Sequence, residues 1–201
     1  VFSIIQAAGW PIYPLLLASI IAVALIIERA TALRRSKIVP AGLLASVAGD
    51  YRQGGVNEQM LLRLERHSPL GRVFAAALRN LKSSREVMRE AVEEAGRSAV
   101  HEMSRFLTSL GTIASISPLM GLFGTVVGMI EIFGSPTASG NNPQALAHGI
   151  SVALYNTGFG LIIAIPSMIF YRHFRALVDD LAIEMEQQAV KLVELVQGER
   201  R

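Results

Sequence analysis

The sequence has no cysteine, so a disulfide framework, a Cys-ligated zinc site and a thiol nucleophile are all excluded. Its four histidines (His67, His101, His148 and His173) are scattered without ligand spacing, and neither a metal nor a cofactor is expected. Charge is also scarce. Only 17% of the 201 residues are Asp, Glu, Lys or Arg, where soluble domains carry about a quarter. Hydrophobic residues make up 51%, and mean hydropathy is +0.41. A soluble enzyme does not fit this balance. The net charge of +3 is small and acids interleave with bases, so nucleic acid is not an expected partner.

The charges present are segregated. Residues 1–27 carry none, and residues 106–171 carry one, Glu131. Residues 28–105 hold 14 Lys or Arg and 9 Asp or Glu, and residues 172–201 hold 5 and 6. Hydrocarbon needs about 20 apolar residues per helical span. The uncharged stretches therefore predict an all-α integral membrane protein with three spans, roughly 10–27, 106–130 and 149–171. Trp10 and Tyr13 suit a lipid–water boundary, and Pro11 and Pro14 are tolerable near a helix start. The first stretch lacks a basic leader and runs straight into Glu28 and Arg29, so it reads as a span rather than a cleaved signal. Residues 134–143 are rich in turn formers and without Lys or Arg.

This divides the chain into an N-terminus with the first span (1–28), a helical segment (29–105), the second span (106–131), a hairpin (132–148), the third span (149–171) and a C-terminal helix (172–201). Arg29, Arg34, Arg35 and Lys37 follow the first span, Arg97 and Arg105 precede the second, and Arg172 and Arg175 follow the third. The bias of basic residues puts 29–105 and the C-terminus in the cytoplasm, and the N-terminus and hairpin in the periplasm.

Residues 83–105, without Pro and with one Gly, predict a helix passing directly into the second span. In the tail, Leu177, Leu181, Met185, Ala189, Leu192, Val193 and Val196 recur close to a 3.6 period, and no breaker lies between Tyr171 and Val196. The third span is expected to continue as one long helix. An apolar stripe of that kind wants a partner helix. Pro40, Gly42, Gly54, Gly55, Pro69 and Gly71 predict shorter helices broken by turns over 40–80.

Inside the second span, small or hydroxyl residues recur at Ala114, Ser117, Pro118, Gly121, Gly124, Thr125 and Gly128; the third carries Gly149, Ala153, Thr157, Gly160 and Ala164 and then Pro166. Two readings fit these stripes. They pack helices closely, each Thr bonding its own preceding backbone, or they line a lumen with Thr125 and Thr157 facing a polar guest, Ser151, Tyr155 and Asn156 adding polarity nearby. No Asp, Glu, Lys or Arg lies deep in any span, whereas a membrane proton relay uses ionisable groups at depth. This chain alone supplies none there.

The stretch Gly121-Leu-Phe-Gly-Thr-Val-Val-Gly128 resembles the G-L-x-G-T-V-x-G signature of the ExbB/TolQ/MotA proton-channel family. Gly160-Leu-Ile-Ile-Ala-Ile-Pro166, preceded by Ala153, Leu154 and Thr157, is similar to the family's third span, and Pro14 through Arg29 to the first span of ExbB-like members. The likeness covers nearly the whole chain. It implies a multi-pass inner-membrane motor subunit, five copies of which encircle the single-span helices of an ExbD/TolR-type dimer. That partner brings a membrane-embedded Asp, faced by the Thr positions matching Thr125 and Thr157, and its periplasmic part acts on a TonB-type protein. Many ExbB and TolQ members carry a Glu five residues before the third-span Thr; here that position is Val152. The partner's Asp is then expected to be the only titratable group at mid-membrane.

Rival expectations are a TolQ-like envelope-maintenance motor, a flagellar or gliding stator subunit, and a non-conducting scaffold. An intramembrane serine protease using Ser139 and His148 lacks rigid support, because both fall in the predicted hairpin. The first reading to test is membrane insertion itself. The chain should stay in the membrane pellet through high-salt and alkaline washes and be released only by detergent.

Overall fold

The computed structural model describes residues 9–134 and 143–198, which form eight α-helices and no strand among them. Residues 135–142 of the expected hairpin, Ser139 among them, lie outside the described residues, as do the side chains of Glu131, His148 and Val152. The chain divides into two compact units, one holding the described residues up to Glu28 with Phe106–His173, the other Arg29–Arg105 with the residues from Phe174 onward.

In the first unit, α1 spans Ile12–Ala32 and runs on into the second unit. Pro14 sits in its first turn, where a missing N–H costs nothing because the first four have no helical acceptor. The second unit follows with α2 (Arg35–Ile38), α3 (Leu43–Gly54), α4 (Glu58–His67), α5 (Pro69–Arg79) and α6 (Arg85–Met103). Their breaks are where Gly, Pro and capping residues predict them. Gly55, at φ 67°, closes α3 by donating its N–H to the Tyr51 carbonyl at 3.0 Å. Asn57 caps α4, its side-chain oxygen accepting from Met60 N–H at 2.7 Å, and Ser68 caps α5 by accepting from Gly71 N–H at 3.0 Å, with Pro69 next in line.

These short helices bury Val47, Leu61, Leu64, Leu70, Phe74 and Leu78 together with Met88, and the C-terminal helix adds Phe174, Val178, Leu181, Met185 and Leu192. Full burial of each large side chain is worth roughly 1.5–3 kcal/mol, so this apolar core rather than surface charge holds the unit. Exposed pairs such as Arg79–Glu65 at 2.9 Å and Arg89–Glu93 at 2.8 Å add little. Arg35 pairs with Glu184, and that hydrogen bond holds its guanidinium pKa above the usual value. Arg29, only 5% exposed, donates to the Met103 carbonyl at 3.1 Å, at the open end of α6.

The helix expected to pass straight into the second span does not. It stops at Met103; Ser104 N–H bonds the Val100 carbonyl at 2.9 Å, Arg105 N–H the Glu102 carbonyl at 3.2 Å, and Phe106 is left-handed at φ 64°. A side chain in that region costs about 1–2 kcal/mol. Nothing in the local composition marks this break, since neither Gly nor Pro is present.

The helix then resumes as α7 (Leu107–Gly134), and α8 runs unbroken over Pro143–Val196. The expected continuation of the third span into the tail is thus observed, although Val178 rather than Leu177 is the buried member of its stripe. Among the described residues, three helices are long and apolar enough to cross a membrane. In the first unit, Leu17, Ile20, Leu119, Ile162 and Ile169 lie exposed on the outer faces, a distribution suited to hydrocarbon.

Two glycines in the second unit should respond in opposite directions. A Cβ on Gly71 would overlap the Leu64 carbonyl, whereas one on Gly49, inside α3, meets nothing within 4 Å. Gly71→Ala should lower stability by about 1–3 kcal/mol, and Gly49→Ala should raise it by up to about 1 kcal/mol, both read as shifts of the thermal unfolding midpoint in detergent.

Candidate functional site

The site is built on the contact between α7 and α8. On α7, Leu107, Leu110, Ala114, Ser117, Gly121, Gly124 and Gly128 are buried, spaced alternately three and four apart. On α8, Gly149, Ala153, Asn156, Gly160, Ile163 and Ser167 repeat the alternation. This is the seam of two helices wound as an antiparallel coiled coil, with small residues in place of large knobs.

The glycines let backbone meet backbone. A Cβ on Gly121 would sit 2.7 Å from the Asn156 carbonyl oxygen and 3.0 Å from the Thr157 Cα; one on Gly160 would sit 2.5 Å from the Ser117 carbonyl oxygen. Gly124 faces the Asn156 side chain, with Cβ and Cγ both 2.7 Å from where its own Cβ would be. Ser117 and Ser167 satisfy their buried hydroxyls by donating to the Ile113 and Ile163 carbonyls, each at 2.7 Å.

Thr125 follows the buried Gly124 by one residue, and Thr157 follows the buried Asn156 by one. In an antiparallel pair, an equal step off the seam on each helix lands on the same side of it. Gly111 and Tyr171 hold these same positions further along and do touch, since a Cβ on Gly111 would lie 3.1 Å from Tyr171 Cε2. Thr125 and Thr157, both half-buried, therefore share one flank of the seam with Pro118.

Phe123, which precedes Gly124 instead of following it, points to the other flank. There it meets Trp10 beside α1, edge to face, with ring centroids 6.0 Å apart. The threonine flank faces away from that contact. The Thr125 hydroxyl donates to the Leu122 carbonyl at 2.6 Å, leaving its oxygen free to accept.

Not every expected site residue joins them. Asn156 is 0% exposed, buried in the seam rather than placed on the flank, because it falls on the seven-residue repeat running from Gly149. Ser151 is exposed, donates to the Ala147 carbonyl at 3.0 Å, and sits about a third of a turn from Thr157. Gly121, Gly124, Gly128 and Gly160 are all in the seam, whereas Pro166 is exposed on the outside of α8. Sequence reasoning missed the pairing of Gly111 with Tyr171; the signal was the spacing of Gly111, Pro118 and Thr125, seven residues apart.

Residues 107–130 and 149–171 contain no Asp, Glu, Lys or Arg, and no cluster of three or more metal-binding side chains occurs among the described residues. Such a face can exchange hydrogen bonds with a carboxyl group in either protonation state and cannot itself titrate. The seam has its own test. Gly124→Ala presses a methyl group into Asn156 and should cost about 1–3 kcal/mol, and Asn156→Gly in the same chain should recover at least part of that loss, measured as a double-mutant cycle of unfolding midpoints.

Comparison with known proteins agrees with this architecture. Residues 65–187 match the MotA/TolQ/ExbB proton channel family. The putative biopolymer transport protein ExbB-like 3 of Synechocystis is 35% identical over 177 residues, covering 86% of this chain and 83% of that one. The biopolymer transport protein exbB1 of Vibrio cholerae is 31% identical, covering 81% and 74%. The Tol-Pal system protein TolQ of Pseudomonas aeruginosa is 33% identical over 138 residues, covering 63% of this chain and 57% of its own. With three membrane-spanning helices, a glycine seam between α7 and α8, and relatives of this extent, the chain belongs to the MotA/TolQ/ExbB proton channel family.

Proposed function

We propose that this protein is the wall of a proton-driven inner-membrane motor: several copies, five on the family's pattern, form a ring whose threonine flanks face a central pair of single-span ExbD/TolR-type helices. The partner's Asp sits against Thr125 and Thr157, takes up a proton from one side of the membrane and gives it up to the other. The resulting turn of the partner drives a TonB-type protein in energy transduction. The observation that carries this reading is the pairing of Thr125 with Thr157 on the flank opposite the Phe123–Trp10 contact, in spans that have no carboxylate of their own.

The energetics support it. A proton crossing the field supplies about 2.3 kcal/mol per 100 mV, while an unpaired carboxylate in hydrocarbon costs roughly 2.5–3.5 kcal/mol on insertion scales. A threonine hydroxyl that turns its O–H toward the carboxylate lowers that cost without pinning it as a Lys or Arg would. With Val152 where many relatives carry Glu, no second carboxylate competes for the proton. The basic residues flanking the spans support a cytoplasmic 29–105 segment and C-terminus. The similarity to a Tol-Pal system protein supports a second reading, a TolQ-type envelope motor built on the same machinery.

In vesicles holding the ring with its partner, Thr157→Val should cut proton flux about 10- to 100-fold, the worth of one hydrogen bond to a charged group. The ring without partner should pass none. Full conduction by the isolated ring, or wild-type flux in an assembled Thr157→Val complex, would overturn the proposal.

A further inference from the structure

Toward the N-terminal end of α7 the threonine flank opens into a crevice of about 380 Å³, lined by Thr108, Gly111, Thr112, Ser115 and Tyr171 among others. Gly111 at its floor has no side chain. The Tyr171 ring lies where that side chain would be, and the gap beside it is edged by hydroxyls together with Ile116 and Met168.

Thr112 and Ser115 are exposed there and donate to the Thr108 and Gly111 carbonyls at 2.8 and 2.9 Å. Their protons are committed to the helix, so their oxygens are left to accept from water.

Pro118 stands between the crevice and Thr125. It has no N–H, so the carbonyl of Ala114, four residues earlier, lacks its helical hydrogen bond. Ala114 is itself only 2% exposed, so that carbonyl is enclosed in the seam and does not reach water. Leu119 and Leu122 are the exposed side chains beside Pro118, so the interval between the crevice and Thr125 is apolar. Ser115 lies roughly 15 Å along the axis from Thr125, at 1.5 Å per residue. The exposed hydroxyls gain nothing further from lipid, whereas water gives their oxygens a donor.

We propose that this crevice is the aqueous passage linking the Thr125–Thr157 region to the water at the N-terminal end of α7. A proton released by the guest carboxyl moves to a water molecule, crosses the short apolar interval on water alone, and goes onward through waters held by Ser115, Thr112 and Thr108. No protein group changes its protonation, and the water chain returns to its starting state after reorientation. The inference rests on the reading that the threonine flank lines the lumen, and it names the route on one side of it.

The absence of native cysteine makes the test direct. In vesicles containing the ring and its partner, Ser115→Cys is exposed to a charged, water-soluble methanethiosulfonate, beside Ile20→Cys on the outer face of α1. Ser115→Cys should react at least about tenfold faster and lose at least about fivefold in flux once modified, because the reacting thiolate forms in water and not in hydrocarbon. Thr112→Cys is the same test should Ser115→Cys fail to assemble. Labelling no faster than Ile20→Cys, or labelling without loss of flux, overturns the passage. If Thr157→Val still cuts flux about tenfold or more in that case, the route alone is wrong; if flux stays at the wild-type level, the functional reading beneath it falls as well.

Discussion

Contact between the α7 and α8 backbones is the constraint on which the rest depends. Lipid gives two helices no hydrophobic reason to associate, so close packing must supply it, and close packing requires that Cβ atoms be missing where the axes meet. Gly121, Gly124 and Gly160 meet that requirement, each with backbone or side-chain atoms of the facing helix inside the space a methyl group would need. Once the helices are locked at that distance, one turn of freedom is gone. The residues after Gly124 and after Asn156 have no choice of side, and the two threonines share a flank because the seam leaves them nowhere else to point.

The same constraint separates tasks that the bare sequence runs together. Asn156 and Thr157 are adjacent polar residues, and from composition both read as candidates for a path. A rotation of about 100° between neighbours divides them: the amide is buried between helices, the hydroxyl is half-exposed beside them. A buried polar side chain in a seam of small residues is suited to fixing register, as single polar residues do in water-soluble coiled coils. Ser151 fails to join Thr157 for the same geometric reason.

Much of the fold was legible. Three uncharged stretches became three spanning helices, Gly and Pro divided the 40–80 region where they stand, and the lack of a breaker beyond Tyr171 gave one continuous helix. The break at Phe106 was not legible, because a left-handed residue that is neither Gly nor Asn leaves no compositional trace. The buried Arg29 was also hidden. Its position reads as one more basic residue marking a membrane boundary, and only the structure puts its guanidinium on the Met103 carbonyl. Of the candidate site, the small residues and threonines were visible by type; which flank they occupy was not, since that depends on how a second helix meets the first.

The unbroken course of α8 limits how this protein can change in length. In its C-terminal stretch the buried residues recur every three or four positions from Phe174 to Leu192, so inserting a single residue after Val178 would turn everything downstream by about 100° and carry Leu181, Met185 and Leu192 out of their core. Deletions there would do the same in the opposite sense. Insertions and deletions among descendants of this chain are thereby steered away from the long helix, toward the turns at residues 39–42, 55–57 and 80–84, where an added residue changes a loop and not a register.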